Sequence, residues 1–285
     1  MAKTGGFLRA PGLRDRCARS DQLGYGGTDK PTDPKSYSGR ALAGDMIDIL
    51  DAESIEQVIA IGHDGYVLSR LLNYHSQRIS ACAFFGVGYK PSDGSNPLTR
   101  SVQIKELIGY DVFAYMRFFV EPDAHAVIEK NGCMDSFISL IWPEVPESWK
   151  KSMSVDGGAR AWIENNTTTA LPSYMTVEDK GAFKTSLLGG GMSAPLCWYK
   201  AMVDQTNLED DKKCPPATWE FHQSLLFVAF NRDCIALPVF SDTTHNKYAK
   251  GPVTREEISG DHWGVMSHAG ELSEMLLKWL GGLDL

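Results

Sequence analysis

Asp64 stands where the apolar run Val58-Ile59-Ala60-Ile61 gives way, through Gly62-His63-Asp64-Gly65, to residues spaced as in a helix. A strand that turns into a helix through small residues lifts its central side chain clear of the sheet edge. A carboxylate in that place suits attack on an sp³ carbon, giving an alkyl-enzyme ester that water later hydrolyses at its carbonyl. Such hydrolysis needs a base and a group to orient it. Asp233 closes the run Phe227-Val228-Ala229-Phe230-Asn231-Arg232, and His262 sits in Gly260-Asp261-His262-Trp263 before the last helical pattern. The order is nucleophile, acid, histidine. Each residue also has a plainer reading: Asp64 as the N-cap of the following helix, Asp233 as a turn or cap residue, His262 as a hydrogen-bonded loop residue. Their joint occurrence, in this order and context, favours the chemistry.

The elements that must hold these residues are also legible. Leu42, Met46, Ile47 and Leu50 recur at helical spacing, with Ile49 widening the face, to about Glu53. Val58–Ile61 is short and β-branched and reads as a buried parallel strand. Val67, Leu68, Leu71 and Leu72 then predict a helix, and Ala81–Val87 a second buried strand closed by Gly88 and Pro91. Strand, helix, strand at this spacing is a right-handed βαβ unit. From about Pro91 to Pro216, aromatic-rich helical stretches (110–130, 149–165, 176–188, 198–204) alternate with Pro and Gly clusters, and no strand stands out. A strand at Ser224–Phe230 and an amphipathic helix near Glu271–Leu280 follow. The expected architecture is α/β: an α/β-hydrolase core, mostly parallel sheet flanked by helices, over residues 21–90 and 217–285. Residues 91–216 form an inserted helical cap, and residues 1–20 an atypical N-terminal segment.

Composition narrows the classes. Of 285 residues, 43% are hydrophobic and 22% charged, which are values of a folded globular chain. The net charge of −8 argues against nucleic-acid binding, which needs clustered Lys and Arg. No apolar run approaches the roughly 20 residues of a membrane helix. The basic start, Met1 to Arg19, lacks the apolar stretch of a secretory signal, so the cytoplasm is the expected compartment. Six cysteines (17, 82, 133, 197, 214, 234) show no C-x-x-C spacing and are expected as buried thiols rather than zinc ligands or disulfides. No metal-ligand set is read from the sequence, and an oligomer is compatible with it.

The stretch Leu23-Gly24-Tyr25-Gly26-Gly27-Thr28-Asp29-Lys30-Pro31, followed by Ile61-Gly62-His63-Asp64, closely resembles the soluble epoxide hydrolases of the α/β-hydrolase superfamily. The resemblance runs from about Asp21 to the C-terminus. It implies opening of a small apolar epoxide by water to a vicinal diol, with no cofactor. It also implies two cap tyrosines that hydrogen-bond the epoxide oxygen. Pro195-Leu196-Cys197-Trp198-Tyr199-Lys200 matches one such segment and points to Tyr199. Tyr115, within Phe113-Ala114-Tyr115-Met116-Arg117, is the second candidate, with Tyr110 as its substitute. A phenol can donate to the alkoxide that ring opening develops, although tyrosines in an aromatic cap can also simply pack.

Three departures accompany the resemblance. The family's His-Gly-x-Pro segment, which helps form the oxyanion hole, is absent, since no His precedes His63. About 20 residues precede Gly24, whereas the family has several strands there, so a shortened core with an unpaired apolar edge beside the Asp64 strand is expected. A truncated or mis-spliced gene product would account for both. After the nucleophile the family continues Trp-Gly, and this chain continues Gly65-Tyr66. Gly65 can supply one oxyanion-hole N–H, and no second donor is evident, so slow ester hydrolysis or lost activity is expected. The competing readings are a dehalogenase using the same Asp, and a non-catalytic relative that binds an apolar small molecule.

Overall fold

The computed structural model describes residues 19–284. Cys17 and all but the last two residues of the segment 1–20 lie outside them. In chain order the elements are α1 (Gly39–Ala52), β1 (Val58–His63), α2 (Tyr66–His75), β2 (Ile79–Phe85), α3 (Pro97–Ile108), α4 (Ala114–Phe119), α5 (Ala124–Glu129) and α6 (Cys133–Ile141). There follow α7 (Gly158–Glu164), α8 (Val177–Gly190), α9 (Ser193–Val203), α10 (Leu208–Asp211), β3 (Ser224–Phe230), α11 (Pro238–Tyr248), β4 (Val253–Ile258), α12 (Gly264–Ser267) and α13 (Ala269–Gly281). They fall into two compact units. Among the described residues, Ser20–Ser38 and Ser95–Asn207 make a helical unit, and Arg19, Gly39–Gly94 and 208–284 make a sheet unit. Among the described residues no helix is long and apolar enough to cross a membrane.

Among the described residues the sheet has four parallel strands in the order β1-β2-β3-β4. Alternation along β2 and β3 divides their side chains between two cores, as the two-residue period of a strand requires. Cys82, Phe84, Leu225, Phe227 and Ala229 pack with Ala43, Ile47 and Leu50 of α1, Leu68, Leu71 and Leu72 of α2, and Tyr248 of α11. Ala81, Ala83, Phe85, Leu226, Val228 and Phe230 pack on the other face with Leu272, Leu276 and Trp279 of α13. Both central strands are apolar apart from Ser80 and Ser224 because both faces are covered.

β1 corrects one expectation. The strand forms, but it is half-buried rather than buried, and Ile61 is 48% exposed. The reason is its place: β1 is the edge of the described sheet and pairs with β2 alone. β4, unforeseen, closes the opposite edge with the polar sequence Val-Thr-Arg-Glu-Glu-Ile, which gives no buried-strand signal. α3 and α6 were also unforeseen. α6 is apolar almost all round because it is buried all round, so it lacks an amphipathic stripe.

The helical unit contains no strand among its described residues and differs from the expected cap by including residues 20–38, which the sequence reading places in the core. Aromatic packing explains the difference. The Trp198 indole N–H donates to the Leu23 carbonyl at 2.9 Å, and the Tyr25 and Tyr37 rings lie 6.5 and 6.2 Å from the Trp198 ring. Within the segment, Gly26 adopts φ +51°, a left-handed backbone that favours glycine at this position of the Gly-Tyr-Gly-Gly turn.

α2 anchors the chain where it leaves and re-enters the sheet unit. Arg70 donates to the Pro91 carbonyl at 3.3 Å and pairs with Asp211 at 3.5 Å, both partners being buried. Asn73 donates to the Tyr89 hydroxyl and accepts from Ser92 at 2.8 Å. On the far side of the same loop, the Gly88 and Tyr89 amides donate to Ser241 Oγ at 2.9 Å and His245 Nε2 at 3.0 Å. The five described cysteines (82, 133, 197, 214, 234) are buried free thiols.

His245 must be neutral to accept that bond. Burial beside Phe84 and Phe227 pushes its pKa down to about 4, with Asp242 opposing weakly. The unfolded chain therefore binds a proton that the folded one refuses, and stability falls as pH drops from about 6.5 and levels off near 4. At roughly 1.36 kcal/mol per pKa unit, this is about 3 kcal/mol. Replacing His245 with Gln, which keeps an acceptor, is expected to remove most of that acid-side loss. Urea midpoints of both proteins between pH 7 and 4 would show it, and parallel pH curves would refute it.

Candidate active site

The turn that presents Asp64 is made by two consecutive left-handed residues, Asp64 at φ +63° and Gly65 at φ +50°, ψ 0°. Asp tolerates this region better than most residues, yet a non-glycine held there is strained and stands out. Gly65 has no substitute: a Cβ would sit 2.6 Å from the Val87 carbonyl and 2.7 Å from the Phe84 ring. A Cβ at Gly62 would touch Leu68, so a small residue lets α2 pack back onto β1. Ser69 N–H and Oγ–H both donate to the Gly65 carbonyl, at 2.9 and 2.6 Å, and so start the helix. The N-cap is Gly65, with no side-chain capping bond. Asp64 therefore does not cap α2, and its side chain, 53% exposed, is directed elsewhere.

Its partner is His262. His262 Nε2 lies 3.4 Å from Asp64 Oδ1, and Nδ1 lies 2.7 Å from Asp233 Oδ2. Asp233 follows β3 and is wholly buried. Its second oxygen accepts the Ile235 and Ala236 amides at 2.8 and 2.9 Å, so the turn reading and the orienting reading hold together, one oxygen each. The loop carrying His262 is held in register with β3 by Arg232 N–H donating to the Gly260 carbonyl. It is also clamped from the β1 side: His63 Nε2–H donates to the His262 carbonyl at 2.8 Å, with the two rings 5.0 Å apart. His63 was not among the residues expected at the site. It adjoins Asp64 in sequence, but its partner comes from a loop 199 residues away.

The charges follow from this line of groups. Although the Asp64 side chain is half-exposed, the protein packed around its carboxylate desolvates it and opposes ionisation; the His262 and His63 rings outweigh that and hold the carboxyl well below the usual range. Burial likewise opposes ionisation of Asp233, and His262 together with two backbone amides reverses it. His262 is the counterpart: burial alone would lower its pKa, and the two carboxylates raise it well above 6.5. The site at rest is an imidazolium between two carboxylates, with His63 kept neutral by burial.

Tyr115 on α4 and Tyr199 on α9 come together inside the helical unit, their rings edge-on at 6.0 Å, and Phe119 packs against both. Tyr110, the substitute candidate, has Lys150 Nζ 5.2 Å over its ring.

No family model matches the sequence. Comparison with individual proteins does find relatives. The chain is 24% identical over 266 residues to pig bifunctional epoxide hydrolase 2, covering 91% of this chain and 45% of that protein. It is 26% identical over 275 residues to epoxide hydrolase A of Mycobacterium tuberculosis, covering 93% and 81%. It thus spans a little under half the length of the pig protein and about four fifths of the mycobacterial one. Among solved structures, epoxide hydrolase A from Mycobacterium thermoresistibile superposes with a TM-score of 0.74 at 24% identity, over 93% of this chain and 82% of that one. An epoxide hydrolase from an endophytic Streptomyces gives 0.76 at 21%, over 92% and 79%. The fold is that of the α/β hydrolases, and the sequence resembles epoxide hydrolases over most of its length.

Gly65→Ala is expected to destabilise the protein by roughly 2–4 kcal/mol, from the left-handed backbone and the clash with Val87 and Phe84 combined. Chemical denaturation measures it; an unchanged midpoint would mean that the loop behind the turn yields freely.

Proposed function

We propose that this chain, an α/β-hydrolase fold similar in sequence to the epoxide hydrolases, opens an epoxide to a vicinal diol through a covalent ester on Asp64. The observation that carries the reading is the line Asp233–His262–Asp64, at 2.7 and 3.4 Å within one unit. Asp64, ionised at any physiological pH, attacks an epoxide carbon; a C–O bond forms to the enzyme and the ring C–O bond breaks. The released alkoxide takes a proton, for which Tyr115 and Tyr199 are the candidate donors.

Ester formation then changes His262. While Asp64 is charged, His262 holds its proton and cannot act as a base. Esterification removes one of the two carboxylate charges that raise its pKa, so the ring gives up its proton, balancing the one that the alkoxide consumes. Neutral His262, oriented by Asp233, next takes a proton from water, and the hydroxide attacks the ester carbonyl. The Gly65 N–H donates to the resulting oxyanion, and collapse returns Asp64 and releases the diol. Of the described residues, Gly65 is the oxyanion donor this reading uses; a single donor makes ester hydrolysis the slow half-reaction, since one donor is worth roughly 10²–10³ in rate in acyl chemistry, and the ester accumulates.

The test is incubation with a reactive aryl epoxide, followed by intact mass and diol assay. Wild type is expected to show one adduct per chain and slow diol release. Asp64→Ala loses both, by roughly 10⁴-fold or more in turnover, and His262→Gln keeps the adduct and makes no diol. Neither adduct nor diol from well-folded wild type would end the proposal.

A further inference from the structure

We propose that His63, Asp64 and His262 form a binding site for a zinc ion, and that its occupancy blocks the nucleophile. The inhibition half rests on the reading above; the binding half does not. One ligand atom from each of the three residues lies within 4.8 Å of the other two. The best-formed pair is already at metal-bridging distance. Zinc holds imidazole nitrogen at about 2.0–2.1 Å and carboxylate oxygen at about 2.0–2.2 Å, and at a tetrahedral angle those bonds separate the two atoms by about 3.4 Å. His262 Nε2 and Asp64 Oδ1 are 3.4 Å apart.

The outer partners match as well. A zinc-bound histidine usually donates its other ring N–H to a carboxylate or a backbone carbonyl, which fixes the tautomer and aims the lone pair. His262 has the first arrangement, through Nδ1 and Asp233 at 2.7 Å. His63 has the second: the His262 carbonyl can only accept, so Nε2 carries the proton and Nδ1 the lone pair. The third ligand starts within 4.8 Å of the other two and closes by a shift of the His63 ring that keeps Nε2 on the His262 carbonyl. Two neutral imidazoles and a carboxylate select a borderline cation such as Zn²⁺ over oxygen-seeking Mg²⁺ or Ca²⁺. Charge also balances: the carboxylates of Asp64 and Asp233 together offset the two charges of Zn²⁺. The half-exposed Asp64 leaves room for water or a solvent anion as fourth ligand. A zinc ion there takes the lone pair of the attacking oxygen, so it competes with an epoxide.

Isothermal titration of the full chain with ZnCl₂ tests binding without any need for turnover. The expected result is one ion per chain, with affinity lowered at least about tenfold in His63→Ala and in His63→Gln, the second keeping the bulk of the side chain. Asp233→Asn, which touches no metal, is expected to weaken binding about 10–100-fold through His262 alone. MgCl₂ should give no heat. Absent one-to-one binding, or affinity equal in wild type and all three folded variants, overturns the site. In the diol assay zinc should raise the apparent KM and leave kcat unchanged; inhibition not relieved by more epoxide overturns the blocking role. Zinc bound by a protein that makes neither adduct nor diol would uphold this site and sink only the catalytic reading.

Discussion

The imidazole of His262 has two carboxylates at its two nitrogens, and much of the sheet unit can be understood as the means of keeping it there. Asp233 is wholly buried, a place where a carboxylate survives only if it is paired and hydrogen-bonded. His262 supplies the charge and the Ile235 and Ala236 amides supply the bonds. The ring in turn keeps its proton because Asp64 faces the other nitrogen. None of the three groups has its charge state independently. That dependence makes the arrangement responsive: consuming the charge on Asp64 alters the basicity of a ring that Asp64 never has to leave.

Such a line tolerates little movement, and the surrounding bonds act on the backbone rather than the side chains. β1 delivers Asp64 through two left-handed residues, and the glycine among them is pressed against the loop following β2. That loop is gripped from one side by Ser69, Arg70 and Asn73 of α2 and from the other by Ser241 and His245 of α11. The His262 loop is held by His63 and by β3. β1 itself pairs on one side only in the described sheet. Its position depends on β2 and α2 more than that of a central strand would. The buried Arg70–Asp211 pair costs desolvation and is weak support for net stability. Its value lies in where it fastens the chain, at both passages between the sheet unit and the helical residues.

How far this was legible from the sequence depended on the range of the interaction. Periodicity placed α1, α2, β3 and α13, and missed β4, whose alternating polar residues belong to a solvated edge, and α6, whose uniform burial removes the amphipathic stripe. Residues 20–38 read as part of the core because strand and turn patterns carry no address; the Trp198 ring gives them one. The tyrosines were found through resemblance, and their meeting with Phe119 is a fact of packing within the helical unit.

By itself the sequence determined what a few adjacent residues can decide through backbone sterics and side-chain chemistry. A small–His–Asp–Gly turn after an apolar strand has to lift its carboxylate, and Asp64, Asp233 and His262 occur in a workable order. Tertiary structure decided the rest: the 2.7 and 3.4 Å separations, the half-buried edge position of β1, and the part played by His63. The physical reason is loop closure. His63 and His262 are 199 residues apart, and only the assembled sheet, with its register from β1 through β4, brings a strand end and a distant loop within one hydrogen bond.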